Sequence, residues 1–140
     1  MKVLECSSAG DKRFSAFYAK VVFNGVLDTI ERHYQSVKRN ASDKPCRKSE
    51  RVAYIIIDNV RYSPELLTPL YRYLWYKYLH ANPELVKYAS QFDAFNDKFR
   101  GKCVNCQADC VKAYVNKDQG FYNCIRPFIK NKEMFYNARY

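Results

Sequence analysis

No apolar run in the 140 residues approaches the roughly 20 that a bilayer-spanning helix needs, so the chain reads as soluble and no membrane partner is expected. Histidine is nearly missing. His33 and His80 are the only two, with no second ligand in register and no serine or cysteine partner beside either, so no histidine metal site or histidine-activated nucleophile is expected. Negative charge is also short: 14 Asp or Glu face 24 Lys or Arg, giving a net charge of +10. That balance favours polyanionic partners without choosing among phosphates, nucleotides and nucleic acid. The opening "MKVLE" offers three apolar residues and one Lys before polar sequence, too little for the apolar stretch of a secretory signal. A cytoplasmic location follows as the expectation. Internal repeats and low-complexity segments are absent as well.

What is present suits one domain. At 48% hydrophobic and 27% charged residues the composition is globular, and this length normally buries about two-thirds of its unfolded surface. The cysteines, Cys6, Cys46, Cys103, Cys106, Cys110 and Cys124, are expected as reduced thiols. "CVNCQADC" has the spacing of a zinc motif but no Gly between its cysteines. Read as a helix through "CVNCQADCVKAYV", it places Cys103, Cys106 and Cys110 on a buried face beside Val111 and Tyr114, and no metal is assigned.

Alternation over residues 13–27 with the turn pair Asn24-Gly25 predicts a hairpin. Asp28 with Glu31 three residues later predicts a capping box and a helix to about Arg39. Residues 39–51, within "KRNASDKPCRKSER", read as a mobile basic surface loop, with a phosphate-contacting flap as the alternative. "RVAYIIID" predicts a buried strand turned at Asn59, and helices follow from Pro64, from Pro83, through "DAFNDKF", through "VNCQADCVKAYV" and through "YNCIRPFIKNKEMF". Tyr71, Tyr73, Tyr76 and Tyr78 follow helical order and read as core rather than as stacking platforms for nucleic acid. The fold class is α+β: a mostly helical single domain, residues 1–140, with a small N-terminal β-hairpin or sheet.

On the first predicted helix Glu31, Gln35 and Lys38 share one stripe, next to the apolar stripe of Ile30, Tyr34 and Val37. A carboxylate, an amide and an amine at the edge of the core can face a cleft formed with Phe14, Phe17 and Tyr18. Helix physics alone explains the same residues as a capping glutamate, a neutral helix former and a charge that suits the helix C-terminus. Likewise Asn105, Gln107 and Asp109 cluster where a helix opens, where an anion can bind or Asp109 can act as an acid or base, and where capping explains them equally.

"FSAFY", then a hairpin with Asn-Gly, then "TIERHYQSVK" resembles the signature of the NADAR family: FSNFY-like residues, a strand pair with a turn Gly, then E-x3-Q-x2-K. "YLWYKYLHANPEL" (73–85) is loosely similar to a later helical segment of that family. Ala16 stands where the family usually has Asn, and the Trp-Gly pair common near the family's C-terminus is missing. The resemblance implies a NADAR-like fold and an N-glycosidase that hydrolyses the C1–N bond of an ADP-ribosylated base or of a related ribosyl-phosphate compound. It implies Glu31 as the carboxylate that stabilises charge at C1 or activates water, Lys38 as an amine able to form a Schiff base, and Gln35 as a contact to sugar hydroxyls. Arg13, Phe14, Ser15, Phe17 and Tyr18, within the matched stretch or beside it, would hold diphosphate and adenine, and Lys12 is a further cation there. No cofactor is called for. Expected partners are an ADP-ribose-type nucleotide or ADP-ribosylated nucleic acid, and the alternative is a module that holds such a nucleotide without cleaving it.

Overall fold

Two turns built from left-handed residues organise the sheet part of the molecule. The computed structural model describes residues 1–100 and 105–130. The strands and helices, in chain order, are β1 (Val3–Glu5), β2 (Lys20–Phe23), β3 (Val26–Thr29), α1 (Ile30–Ser36), β4 (Lys38–Arg39), β5 (Tyr54–Ile57), β6 (Val60–Tyr62), α2 (Leu67–Ala81), α3 (Pro83–Ala89), β7 (Ala94–Asn96), α4 (Gln107–Val115) and α5 (Gln119–Lys130). The architecture is α+β, and the sheets are short.

Asn24 and Gly25 take φ of 53° and 79°, as a two-residue primed turn demands, and β2 and β3 pair antiparallel with Phe23 opposite Val26. Asp58 and Asn59 repeat the device at 52° and 63° and close β5 on β6. The β3 ladder carries extended backbone through Asp28 and Thr29, which face Val21 and Lys20. This corrects the predicted cap. Thr29, not Asp28, caps α1, its hydroxyl accepting from the Arg32 N–H at 3.1 Å. Glu31 therefore sits one place too early for a capping box and is left for another use.

The helix also ends sooner than its periodicity suggests. Val37 caps α1, and the next two residues join the apolar strand β5, Lys38 opposite Ile55 and Arg39 opposite Tyr54. A neighbouring strand with unpaired backbone groups outweighs one more helical turn. Lys38 thus leaves the helix on a strand, while Glu31 and Gln35 stay on it.

A third correction concerns residues 94–96, read as helix but found as β7, parallel to β1 with Val3 opposite Ala94. The partner strand lies at the far end of the sequence, so no local signal announces it. Cys106 caps α4 with extended backbone, so the predicted helix through "CVNCQADCVKAYV" begins only at Gln107, and Cys103 lies outside the described residues.

The core gathers on α2. Leu70, Leu74, Trp75 and Leu79 are fully buried, each contributing roughly 1.5–3 kcal/mol by leaving water. They meet α1, α4 and α5, the last supplying Phe121 and Ile125. Tyr71 and Tyr78 are buried too, and Tyr73 and Tyr76 pack partly buried against the same cluster. Among the described residues no helix is long and apolar enough to cross a membrane.

Candidate functional site

Ala16 links the two stretches that sequence reading singled out. Its carbonyl accepts from the Glu31 N–H at 3.0 Å, and the carbonyl of Ala19, just after "FSAFY", accepts from the Ile30 N–H at 2.9 Å, so this stretch satisfies the first free N–H groups of α1. From the other side the Ala16 N–H donates to Gln107 Oε1 at 2.7 Å, in a buried bond. The backbone alone makes these links. The Ala16 side chain, where the resemblance has Asn, takes no part in them.

Around this point opens a cavity of about 550 Å³, lined among others by Phe17, Glu31, Lys38, Asp97, Asn105 and Gln107. Its volume falls in the range that holds a nucleotide-sized ligand. Gln35 donates Nε2 to Glu31 Oε1 at 2.9 Å, fixing the carboxylate from the solvent side. The Lys38 ammonium stands 4.3 Å over the Tyr34 ring. Burial pushes its pKa below the ordinary lysine value, against the opposing pull of Glu31 and of Cys46. Burial is thus what favours the neutral amine, while the Glu31 carboxylate and the Tyr34 ring both favour the ammonium.

The floor is aromatic and hydrogen-bonded. Tyr34 meets Tyr71 edge to face at 5.0 Å, and its hydroxyl accepts from Asn105 Nδ2 at 2.8 Å. Burial lifts the Tyr71 phenol well above its usual pKa, so it stays protonated across any working pH. Asp97 is buried and lines the same cavity, one carboxylate oxygen accepting from the Phe99 N–H at 2.9 Å. Phe17 and Phe99 are exposed at the wall, 61% and 55%, which gives the cavity apolar surface able to take a flat ring.

Five of the residues singled out from sequence therefore meet at one cavity: Glu31, Lys38, Phe17, Asn105 and Gln107. The others lie off its wall. Phe14 is fully buried in the core against Tyr88, and Ser15, also buried, accepts from the Phe17 N–H. Arg13 pairs with Asp11 at 2.7 Å and covers the Tyr88 ring at 4.7 Å. Tyr18 is exposed under the Lys12 ammonium. Gln35 reaches Glu31 from outside, and Asp109 pairs with Arg100 at 3.1 Å on a neighbouring surface. Sequence reading missed Ser8, Asp97 and Phe99 and placed Tyr34 and Tyr71 in the core alone. Asp97 follows β7 in the segment read as helix, and the pairing of β7 with β1 is what sets it at the cavity.

Cys6 and Cys110 are buried, and burial drives both thiols far above the usual cysteine pKa, which leaves them unreactive. His33 is buried, its Nε2 at 2.8 Å from the Val21 carbonyl, and His80 stacks on Tyr76. Among the described residues no three His, Cys, Asp or Glu side chains stand close enough together to hold a metal ion.

Gln107 is the support that binds the two halves of the site. Gln107→Leu keeps the volume but leaves the buried Ala16 N–H without an acceptor, so a loss of about 1–3 kcal/mol is expected in urea unfolding. A change within about 0.5 kcal/mol, the range of an ordinary surface substitution, would mean that the bond does no structural work.

Comparison with known proteins gives no match among protein-family models and none among curated proteins.

Proposed function

We propose that this chain is an N-glycosidase that breaks the C1–N bond of an ADP-ribosylated base or a related ribosyl-phosphate compound. The observation that carries the reading is the meeting of Glu31 and Lys38, which leave the chain on different elements, at the wall of one cavity. Cleaving the bond builds positive charge on the sugar C1, which a carboxylate stabilises. Lys38, with its lowered pKa, supplies a neutral amine that attacks C1 as the base departs; ring opening then gives a Schiff base. Water, deprotonated by Glu31, adds to that imine carbon, and the amine leaves as the free sugar forms. The departing base takes the proton that the attacking amine gives up, and the proton that Glu31 takes from water passes to the Lys38 nitrogen as it leaves, so no oxidant or reductant enters. Gln35 holds Glu31 in place. The flat adenine or base fits the apolar surface of Phe17 and Phe99, and a cytoplasmic setting fits the reduced thiols this chemistry tolerates.

Purified protein incubated with ADP-ribosylated guanosine is expected to release free ADP-ribose, at a rate that rises with pH as Lys38 deprotonates. The sign follows from the direction of its pKa: the rise begins below the pH at which an ordinary lysine would lose its proton. Borohydride added during turnover should trap a covalent sugar adduct on Lys38, read by peptide mass, and Lys38→Ala should lose both adduct and release. Tight nucleotide binding with no product would leave a binding module in place of an enzyme.

A further inference from the structure

The stretch between β4 and β5 carries a concentration of charge that the cavity chemistry does not use. Residues 38–51, "KRNASDKPCRKSER", hold six Lys or Arg against Asp43 and Glu50. Local hydrogen bonds and turns shape the stretch. Asn40 Oδ1 accepts from the Ser42 and Lys44 N–H groups at 2.9 and 3.0 Å, and Asp43 and Ser49 take left-handed φ of 61° and 65°. Both carboxylates are already engaged. Asp43 pairs with Arg61 at 3.1 Å, and Glu50 accepts from the Arg47 N–H at 2.9 Å and from Asn40 Nδ2 at 3.1 Å.

Lys44, Arg47, Lys48 and Arg51 are all exposed, and their charge exceeds what those two carboxylates can balance. The loop also adjoins the site. The Cys46 N–H donates to the Lys38 carbonyl at 3.2 Å, and Pro45 bridges to Arg39, so the basic segment folds back on the strand whose Lys38 lines the cavity. None of the large apolar side chains that the molecule exposes lies between residues 40 and 51. A surface that inserts into lipid needs such side chains beside its cations, whereas a surface that follows phosphates needs only the cations.

We infer that this loop docks the phosphate backbone of a nucleic-acid strand and presents a base on that strand to the cavity beside it. The docking of an unmodified strand stands on the loop alone, and the presentation of a modified base rests on the glycosidase reading above. Charge on the backbone supplies affinity without sequence preference, which leaves selectivity to the cavity.

The test uses full-length protein and an unmodified single-stranded oligonucleotide, followed by fluorescence anisotropy between about 50 and 200 mM salt. The variant Lys44→Ala/Arg47→Ala/Lys48→Ala/Arg51→Ala is expected to bind more weakly at the lowest salt. Its plot of log affinity against log salt should flatten by about three, at roughly 0.7 for each lost contact to a single strand. A second variant, Lys48→Glu/Arg51→Glu, checked by circular dichroism like the first, removes the same net charge with half the substitutions and should also bind more weakly than wild type. Equal affinity and equal slope in wild type and variants overturn the inference. So does loss of binding to anionic lipid vesicles with oligonucleotide binding intact. In the turnover arm the four-alanine variant should keep its rate on free ADP-ribosylated guanosine and lose rate at low concentration of a modified oligonucleotide. No turnover by wild type on either substrate sinks the glycosidase reading alone, since oligonucleotide binding still reports on the loop.

Discussion

Glu31→Gln is expected to lower the release of ADP-ribose by roughly 10²- to 10⁴-fold, the usual worth of a positioned acid or base group. The substitution is nearly isosteric. A glutamine at position 31 still offers an oxygen to the Gln35 amide, whose present bond is 2.9 Å, so the position of the side chain is kept and only the negative charge is lost. That charge is what opposes the cation developing at C1. The melting temperature should stay close to wild type, because Glu31 makes none of the ion pairs found among the described residues. Binding of free ADP-ribose should also change little, since the nearly isosteric side chain keeps the shape of the wall that Glu31 lines. A variant that keeps most of the wild-type rate would remove Glu31 from the chemistry and, with it, the main reason for reading the cavity as catalytic. A variant that loses rate and melts far below wild type would instead point to a structural role for the carboxylate.

The pattern of what could be read from sequence follows from how local each signal is. Asn24-Gly25 and Asp58-Asn59 announce their turns because the residues needing left-handed backbone are themselves the message. The long apolar period of α2 and the Asn-Pro start of α3 are equally local. What escaped is the pairing between distant segments. β1 with β7 and β4 with β5 join residues that no window of sequence holds together, and in both places strand pairing displaced a helix expected from period and composition.

The candidate site divides along the same line. Glu31 and Gln107 were legible as polar residues at helix openings, yet what joins them is the backbone of Ala16, whose two groups bond to both. Lys38 was reached by a helical period that does not hold at its position; strand β4 delivers it to the same wall instead. Asp97 and Phe99 stayed hidden because their place depends on β7. Arg13, Phe14, Ser15 and Tyr18 lie within the matched stretch or beside it but serve to build the turn rather than to line the cavity. Phe14 fills the core, and the Arg13 carbonyl accepts from the Tyr78 hydroxyl at 2.7 Å, tying the turn to α2.

That tie makes the stability of α2 a condition of the site, and Trp75→Ala tests it. Trp75 is completely buried in the middle of α2, edge to face with Tyr78 at 5.6 Å, and one turn from Tyr71 in the cavity floor. Removing so large a side chain from a packed interior takes away its transfer free energy and leaves a void that rigid neighbours fill only in part, for a cost of about 3–5 kcal/mol. A domain of this size is held by only about 5–15 kcal/mol, so the substitution consumes a large share of the margin. Urea unfolding followed by circular dichroism should show a lower midpoint with an unchanged slope; Trp75 is the single tryptophan, so its fluorescence cannot report on the variant. Trp75→Phe should lose much less, because an aromatic ring remains to pack on Tyr78. If Trp75→Ala costs under about 1 kcal/mol, the core does not centre on α2, and the packing that holds Tyr71 under the cavity must lie elsewhere.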